Sequence, residues 1–126
     1  MLVRDLMRGG DSVPRVPPGA SFNALLREMT GKGLGFTAVA DEHGKPLGIF
    51  TDGDLRRLIE RGAELHSLSA ADVMHRSPRL VRADALAVDA AAVMEQHRIT
   101  SVLVVDAQGQ LVGALNSNDL MRAKVI

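Results

Sequence analysis

An internal repeat constrains this chain more than any other feature of its sequence. Asp5-Leu6-Met7 recurs as Asp72-Val73-Met74, at an offset of 67 residues, and later landmarks recur at an offset of 65. These later pairs are Met29 and Met94, Asp41 and Asp106, Gly44 and Gly109, Gly48 and Gly113, and Asp54-Leu55 and Asp119-Leu120. Such agreement predicts two copies of one unit, residues 1–62 and 63–126. Because the offset falls by two, copy one should hold two extra residues, between Gly9 and Pro14.

The composition indicates how two such units could be stable. Hydrophobic residues make up 46% of the 126 residues and aromatic residues only 2%, with no Trp or Tyr. The core must therefore be built from Leu, Val, Ala, Met and Ile. A unit of half this length would bury too little apolar surface alone, so the two copies are expected to share a core.

Charge and cysteine content exclude several classes of function. The 15 basic and 15 acidic residues balance to a formal net charge of zero, which argues against a nucleic-acid partner or an anionic membrane surface. No apolar run approaches the roughly 20 residues that span a bilayer. The absence of cysteine excludes disulfides and thiolate metal sites. A cytoplasmic protein is expected.

Copy one shows a clear order of predicted elements. Ser21 is a good N-cap for a helix, and the apolar residues that follow recur at helical spacing: Phe22, Leu25, Leu26 and Met29. Gly31 and Gly33 offer positions at which this helix can end. Two apolar strands follow, at 36–40 and 47–50, and then a helix from Leu55 to Glu60.

Copy two repeats this order. Its first helix should carry one face of Leu86, Ala90, Val93, Met94 and His97. Strands at 102–105 and 111–115 and a helix at 119–123 follow. Since Val102 to Val105 do not alternate with polar residues, that strand should be covered on both faces. The predicted class is α/β, with two pseudo-symmetric α-β-α-β-β-α repeats packed sheet to sheet.

The first candidate site follows the second strand of each copy, in GIFTDGDL (48–55) and GALNSNDL (113–120). Where a strand ends and a helix begins, free backbone N–H groups suit an anionic ligand group. The Thr51 hydroxyl could donate to a phosphate, and the Asp54 carboxylate could accept from ribose hydroxyls. The alternative is that Thr51 or Asp52 only caps the helix, with Asp54 in its first turn.

The second candidate site is the turn before strand 102–105, at His97-Arg98-Ile99-Thr100-Ser101. An imidazole and a guanidinium there could bind a phosphate. The alternative is that these cations only favour a helix C-terminus. Copy one has Gly33 in place of the arginine, so any anion site differs between the copies.

The remaining ionisable residues indicate neither a metal site nor a catalytic site. His43, His66 and His75 have no second ligand at metal-binding spacing. Asp52 and Asp54 have no companion base, and no nucleophile motif is present. Arg56-Arg57 is interpreted as a solvated helix face or a dimer contact.

The tandem units, each ending in a G-h-h-T-x-x-D-L segment, resemble cystathionine β-synthase (CBS) domain pairs, also called Bateman modules. Two copies in register, aspartates at the helix starts and Asp-x-x-Gly turns carry this resemblance over essentially the whole chain. It implies a tandem CBS-domain pair that binds adenosine nucleotides or related ligands in clefts between the copies. It also implies a homodimer shaped as a flat disc.

Three segments further resemble the C-terminal CBS pair of bacterial arabinose 5-phosphate isomerases: 3–7, 48–57 and 99–102. Those enzymes interconvert ribulose 5-phosphate and arabinose 5-phosphate on the route to Kdo for lipopolysaccharide or capsule. The resemblance implies that this chain is the non-catalytic regulatory part of such an isomerase. Its partner would be the N-terminal sugar isomerase domain of the same protein.

The family motif, carried over residue by residue, places Thr51 and Asp54 at a ligand site with full agreement. Asp119 also agrees, but Asn116 stands where the family has Ser or Thr. An amide can still donate to a phosphate, so the second site is retained as a weaker one.

The resemblance also assigns residues outside the capping segments. His97 and Arg98, with Thr100 in the same turn, resemble the basic pair that contacts phosphates in nucleotide-binding CBS modules of energy-sensing kinases. Apolar Val13, Pro14 and Val16 stand where family members sandwich a base through backbone and aliphatic contacts.

Two hypotheses follow. In the first, the chain senses AMP, ATP or a nucleotide-sugar of the pathway such as CMP-Kdo, with no required cofactor and no metal. Asp54 and Asp119 would then hold ribose. In the second, the pair is a ligand-free structural module that dimerises and organises the isomerase oligomer. The degenerate motif at Asn116 and the missing arginine at Gly33 favour the second.

Overall fold

The computed structural model describes residues 1–126, and the chain folds into two compact units. Unit 1 comprises Met1–Val13 and Arg79–Ile126, and unit 2 comprises Pro14–Pro78. The helices are α1 (Val3–Leu6), α2 (Phe22–Lys32), α3 (Asp52–Glu60), α4 (Ala70–Val73), α5 (Ala87–His97) and α6 (Ser117–Arg122). The strands are β1 (Arg8–Gly9), β2 (Arg15–Val16), β3 (Phe36–Ala40), β4 (Pro46–Thr51), β5 (His75–Arg76), β6 (Leu80–Arg82), β7 (Ser101–Val105) and β8 (Leu111–Asn116).

The two units contain sheets of the same topology, so the predicted α/β class and the repeat are confirmed. In unit 2 the strand order is β2-β3-β4-β5, and in unit 1 it is β6-β7-β8-β1. In each sheet a central antiparallel hairpin is flanked by one parallel and one antiparallel edge strand. The predicted order has one strand before the hairpin of each copy, whereas the structure has two: β1 and β2 in copy one, and β5 and β6 in copy two.

Each sheet is completed by a segment from the other sequence copy. Helix α1 and strand β1 come from the start of copy one, and β1 pairs with β8 of copy two. Helix α4 and strand β5 come from the start of copy two, and β5 pairs with β4 of copy one. The boundaries of the compact units therefore differ from those of the sequence copies.

The two extra residues of copy one lie where they were predicted. Strand β2 pairs with β3 through Arg15 and Ala38, and β6 pairs with β7 through Leu80 and Leu103. The segment that leads to β2 is longer by two residues than the one that leads to β6, and it contains a 3₁₀ helix at Gly10–Ser12. This short helix accommodates the insertion without disturbing the sheet.

Helix α2 begins and ends as its sequence predicts. The Ser21 hydroxyl oxygen accepts a hydrogen bond from the Ala24 N–H over 3.1 Å, and Gly33 ends the helix in the left-handed conformation with φ of 70°. Its buried face packs against the strands, where the rings of Phe22 and Phe50 meet edge to face at 5.9 Å between centroids. The scarce aromatic residues thus lie in the core of unit 2.

Helix α5 differs from its prediction at one end. Leu86 precedes the helix and is 49% exposed, while the buried face is formed by Ala87, Ala90 and Met94. Leu86 is the N-cap, with extended backbone, so it does not take part in the helical period. The prediction that Leu86 lies on one helical face with Ala90, Val93, Met94 and His97 was therefore wrong.

The core has the aliphatic composition expected from the sequence. Residues Val102 to Val105 of β7 are all buried, which confirms a strand covered on both faces. In unit 1 the core also contains Val3, Met94, Leu115 and Leu120. The longest helices, α2 and α5, have 11 residues each, so none has the length or the apolar run that crossing a bilayer requires.

Candidate functional site

Thr51 and Asp54 form a reciprocal capping box at the start of α3. The Asp54 N–H donates to the Thr51 hydroxyl oxygen over 3.2 Å, and the Thr51 N–H donates to Oδ2 of Asp54 over 3.0 Å. The second carboxylate oxygen, Oδ1, accepts from Arg57 over 2.6 Å. This motif therefore caps α3, since both side chains accept hydrogen bonds from backbone N–H groups that have no partner within the helix.

Asn116 and Asp119 form the same box at the start of α6. The Asp119 N–H donates to Oδ1 of Asn116 over 2.9 Å, and the Asn116 N–H donates to Oδ2 of Asp119 over 3.0 Å. Because the cap uses the side-chain oxygen of Asn116, its amide NH₂ remains free to donate elsewhere. Asparagine at this position thus preserves the helix start as well as threonine does.

The two aspartates differ in burial and in their cationic partners. The Asp54 side chain is 21% exposed and has Arg57 as its one cationic partner. The Asp119 side chain is 6% exposed, and its Oδ1 is shared by Arg122 at 2.5 Å and Arg8 at 3.2 Å. Of the two carboxylates, Asp54 is therefore the more accessible to a ligand.

The second candidate segment lies at the turn that follows α5. His97 is the last residue of the helix, and Arg98 adopts the left-handed conformation, with φ of 53° and ψ of 46°. Gly33 ends α2 in the same conformation. The Arg98 side chain is exposed and forms no ion pair or hydrogen bond within the protein, so its guanidinium is available to an anion.

Thr100 joins this turn to the cap of α6. Its carbonyl oxygen accepts from the Ser117 N–H over 2.8 Å, and the next residue, Ser101, pairs with Asn116 across the hairpin. Thr100, Asn116 and Asp119 are therefore brought together at one end of the unit 1 sheet. In unit 2 the Gly35 carbonyl accepts from the Asp52 N–H over 2.9 Å in the same way.

The apolar candidates are mostly buried. Val13 is 2% exposed, Val16 is 7% exposed, and Pro14 is also buried. The Pro14 carbonyl accepts from the Ala38 N–H over 3.0 Å, and Val16 pairs with Val39 in the sheet. Contact of these three residues with a base stays a prediction.

The candidate residues are divided between the units. Unit 2 holds four of them: Pro14, Val16, Thr51 and Asp54. Unit 1 holds the other six: Val13, His97, Arg98, Thr100, Asn116 and Asp119. Each capping box is complete within its own unit.

Two carboxyl groups with lowered pKa values lie in structural turns. The backbone N–H groups of Lys45 and His43 hold the pKa of Asp41 below its usual value in the β3–β4 turn. Hydrogen bonds from the backbone N–H and the hydroxyl of Ser69 lower the pKa of Asp72 at the start of α4. Asp72 is the aspartate of a capping box with Ser69, and Asp41 lies in a hairpin turn, so these shifts indicate folded turns and not a catalytic group.

Sequence reasoning missed a pocket of about 300 Å³ in unit 2. It lies between the C-terminal half of α2 and the start of α3. Its lining consists of Leu26, Met29, Thr30, Gly33, Gly35, Asp52 and Leu55. The sequence signal was the pair Gly33 and Gly35, which removes side chains from the helix-to-strand turn.

The chain is similar to proteins of known family and structure. The family model for the CBS domain matches residues 3–61 and 70–126. Arabinose 5-phosphate isomerase KdsD of Pseudomonas aeruginosa is 48% identical over 124 residues, which are 98% of this chain and 38% of that protein. The chain thus spans well under half the length of this relative.

Two solved structures resemble the whole chain. CBSX2, a CBS-pair protein of Arabidopsis thaliana, was solved in complex with AMP. It matches with a TM-score of 0.82 and 26% identity over 98% of this chain and 96% of that one. A CBS domain pair in complex with 5′-methylthioadenosine and S-adenosyl-L-methionine matches with a TM-score of 0.87 and 22% identity over 99% and 96% of the two chains. The second likeness is one of fold.

Proposed function

The chain belongs to the CBS domain family, and on that premise we propose that it is a regulatory module that binds an adenine nucleotide. Accessible Asp54, in a complete T-x-x-D capping box, is the observation that carries this proposal. The 26% identical relative solved with AMP supports the choice of nucleotide.

Asp54 is suited to accept hydrogen bonds from ribose hydroxyls. Its Oδ2 is held in place by the Thr51 N–H, which fixes the orientation of the carboxylate. Its Oδ1 contacts the side chain of Arg57, which is largely exposed and can turn to solvent or to a ligand phosphate. The fixed carboxylate can therefore exchange one mobile partner for a sugar hydroxyl at small cost.

In unit 1 the proposed phosphate contacts are Arg98, the Thr100 hydroxyl and the Asn116 amide. Arg98 has no acidic partner in the protein, so a phosphate would not have to displace one. His97 lies beside it as the helix ends. Asp119 is the less favourable ribose acceptor, because two arginines already compete for its Oδ1.

The regulated protein is proposed to be an arabinose 5-phosphate isomerase. The 48% identity to KdsD supports this assignment, and the isomerase activity would reside in a part of the protein outside this chain. Under this proposal a nucleotide-sugar made downstream, such as CMP-Kdo, is the second ligand to test, because it would report on the product of the pathway.

Titration calorimetry with AMP, ATP and CMP-Kdo tests the proposal. Asp54→Asn keeps an oxygen for the Thr51 N–H but removes the charge, and it should weaken AMP binding about tenfold, a loss of about 1.4 kcal/mol. Glu60→Gln, at the exposed far end of the same helix, should bind as the unchanged protein does. Failure of all three ligands to bind at about 1 mM would overturn the proposal.

A second function, self-association without a ligand, is favoured by exposed apolar side chains at the neighbouring helices α5 and α6 of unit 1, here called the apolar face. Leu86 is 49% exposed, Val88 58% and Met121 51%, and the helices α5 and α6 pack side by side. The corresponding residues of copy one are Ser21, Asn23 and Arg56. A second copy of this chain, presenting the same face, could cover these side chains. Melting temperatures that do not respond to any nucleotide would favour this function.

A further inference from the structure

The capping aspartates Asp54 and Asp119 each accept a hydrogen bond from an arginine one turn further along their helix. Arg57 donates to Oδ1 of Asp54 over 2.6 Å. Arg122 donates to Oδ1 of Asp119 over 2.5 Å. The two arginines are equivalent in the repeat, at the offset of 65 residues. They therefore do not explain why the surroundings of the two carboxylates differ.

The partner that makes the difference is Arg8 of strand β1. Its guanidinium donates to the same Oδ1 of Asp119 over 3.2 Å. Since each oxygen of an ionised carboxylate has about two lone pairs, Arg8 and Arg122 together use both lone pairs of this Oδ1. In Asp54 one lone pair of Oδ1 remains open, because Arg57 alone donates to that oxygen.

His75 occupies the position of Arg8 in the other copy. The two residues align at the offset of 67 residues that relates the starts of the copies. Strand pairing gives the same equivalence, because Arg8 pairs with Ala114 of β8 and His75 pairs with Ile49 of β4. The His75 side chain is exposed and forms no hydrogen bond or ion pair within the protein. Unit 2 thus provides no second cation for Asp54.

Arginine and histidine at this position differ in charge. A guanidinium stays charged and presents a fork of N–H donors, whereas an ordinary imidazole is largely neutral at about pH 8. An arginine here can therefore occupy the capping carboxylate of its unit, as Arg8 does with Asp119. A neutral histidine leaves the carboxylate to a ligand. The exposure of the two side chains agrees, at 6% for Asp119 and 21% for Asp54.

We propose that the residue at this position, Arg8 in unit 1 and His75 in unit 2, determines which capping aspartate accepts a ligand hydroxyl. Arg8 holds Asp119, so that a ribose in unit 1 finds no free acceptor there. His75 leaves Asp54 open. This inference rests on the proposed nucleotide function, and it adds that the choice between the two sites is made outside the capping boxes.

Titration calorimetry with AMP at pH 8 tests both positions. His75→Arg should weaken AMP binding about threefold to fivefold, because the new guanidinium competes for Oδ1 of Asp54. Arg8→His should create a second AMP site, and adding Asp119→Asn to that variant should remove it again. Both expected changes oppose general charge attraction, which favours anionic AMP where an arginine is added. They are therefore specific to the carboxylate.

His66→Arg and Arg4→His are matched controls, since each makes the same exchange at an exposed side chain that has no ion pair. Both should bind AMP as the unchanged chain does. Thermal melting checks that every variant is folded. If Arg8→His unfolds, His75→Arg decides the result alone, because the exposed side chain of His75 can be replaced without disturbing the core.

Two outcomes would overturn the inference and leave the nucleotide proposal standing, provided that the unchanged chain binds AMP. One is that His75→Arg binds AMP as tightly as His66→Arg. The other is that Arg8→His is folded but has no second site. If the unchanged chain does not bind AMP at about 1 mM, the proposal of an adenine-nucleotide site and this inference are both rejected.

Discussion

The sulfur of Met74 lies against Gly48 in the space that a side chain at Gly48 would fill. A Cβ on Gly48 would lie 2.6 Å from Sδ of Met74 and 2.9 Å from the carbonyl oxygen of His75. Met7 lies against Gly113 in the same way in unit 1. Through these contacts, the segment that each sheet receives from the other sequence copy (here called the exchanged segment) packs closely against the central hairpin. This packing explains why the methionine and the glycine recur in both copies.

Gly48→Ala should therefore destabilise the protein. The added methyl group has no room unless Met74 and the β5 backbone move, and such overpacking typically costs about 1–3 kcal/mol. Urea unfolding should show the loss in the free energy of unfolding. Gly19→Ala is the matched control, because a Cβ at Gly19 meets nothing within 4 Å, and it should change stability by less than about 0.5 kcal/mol.

The pair can be tested further by a double substitution. Met74→Ala removes the side chain that obstructs the methyl group, so part of the cost of Gly48→Ala should disappear in its presence. The interpretation is wrong if Gly48→Ala is as stable as Gly19→Ala, or if the two effects simply add.

The two capping boxes should differ in their contribution to stability. Asp119→Ala removes a cap and leaves Arg8 and Arg122 without the carboxylate they share in a buried position, so it should cost about 3 kcal/mol. Asp54→Ala removes a cap and one exposed arginine contact, so it should cost about 1 kcal/mol. Equal losses in urea unfolding would show that burial and the second arginine do not matter.

Much of the fold could be predicted from residues whose effects are local. Ser21 and Gly33 bound α2 because each satisfies helix-end groups within a few residues. The unbroken apolar run of β7 predicted its burial. The exchange of α1 and β1 into the sheet of copy two could not be predicted, because it depends on pairing between Arg8 and Ala114, which are distant in sequence.

The candidate site was predicted only in part for a similar reason. The spacing of Thr51 and Asp54 fits both a cap and a ligand site, and the hydrogen bonds show that the cap is formed. The different burial of Asp54 and Asp119 could not be predicted from the two capping motifs, because Arg8, which contacts Asp119, comes from the start of the other sequence copy. The Asp52 pocket was missed because it depends on the left-handed turn at Gly33 and Gly35.

Glu28 should make stability depend on acid pH. Burial raises the pKa of Glu28, but hydrogen bonds from Lys32 and from the Arg15 N–H, together with the charges of both residues, outweigh burial and hold this pKa below its usual value of 4.5. A carboxyl with a lowered folded-state pKa stabilises the fold above its unfolded pKa, and this contribution is lost as pH falls through the folded value.

Glu28→Gln should therefore be less stable than the unchanged protein near pH 7, by no more than about 1 kcal/mol because the ion pair is partly exposed. The difference should shrink as pH falls from about 4.5 toward the folded pKa, as measured by urea unfolding at several pH values. Glu60→Gln, whose side chain is exposed, should show no such convergence. A difference that is constant with pH would contradict the assignment.

Replacing the apolar face of unit 1 by the residues of copy one should abolish self-association through that face. Val88→Asn with Met121→Arg introduces the side chains found at Asn23 and Arg56, and both positions are more than half exposed, so the fold should tolerate them. Sedimentation equilibrium should then show a shift from dimer to monomer, because two apolar patches are replaced by two positive charges that repel across the two-fold axis. Asn23→Ser, on the corresponding helix of copy one, should leave the association unchanged. If the double variant associates as tightly as the unchanged chain, this face is not the interface. If the unchanged chain is monomeric at about 0.1 mM, the hypothesis of a ligand-free structural module that dimerises is wrong.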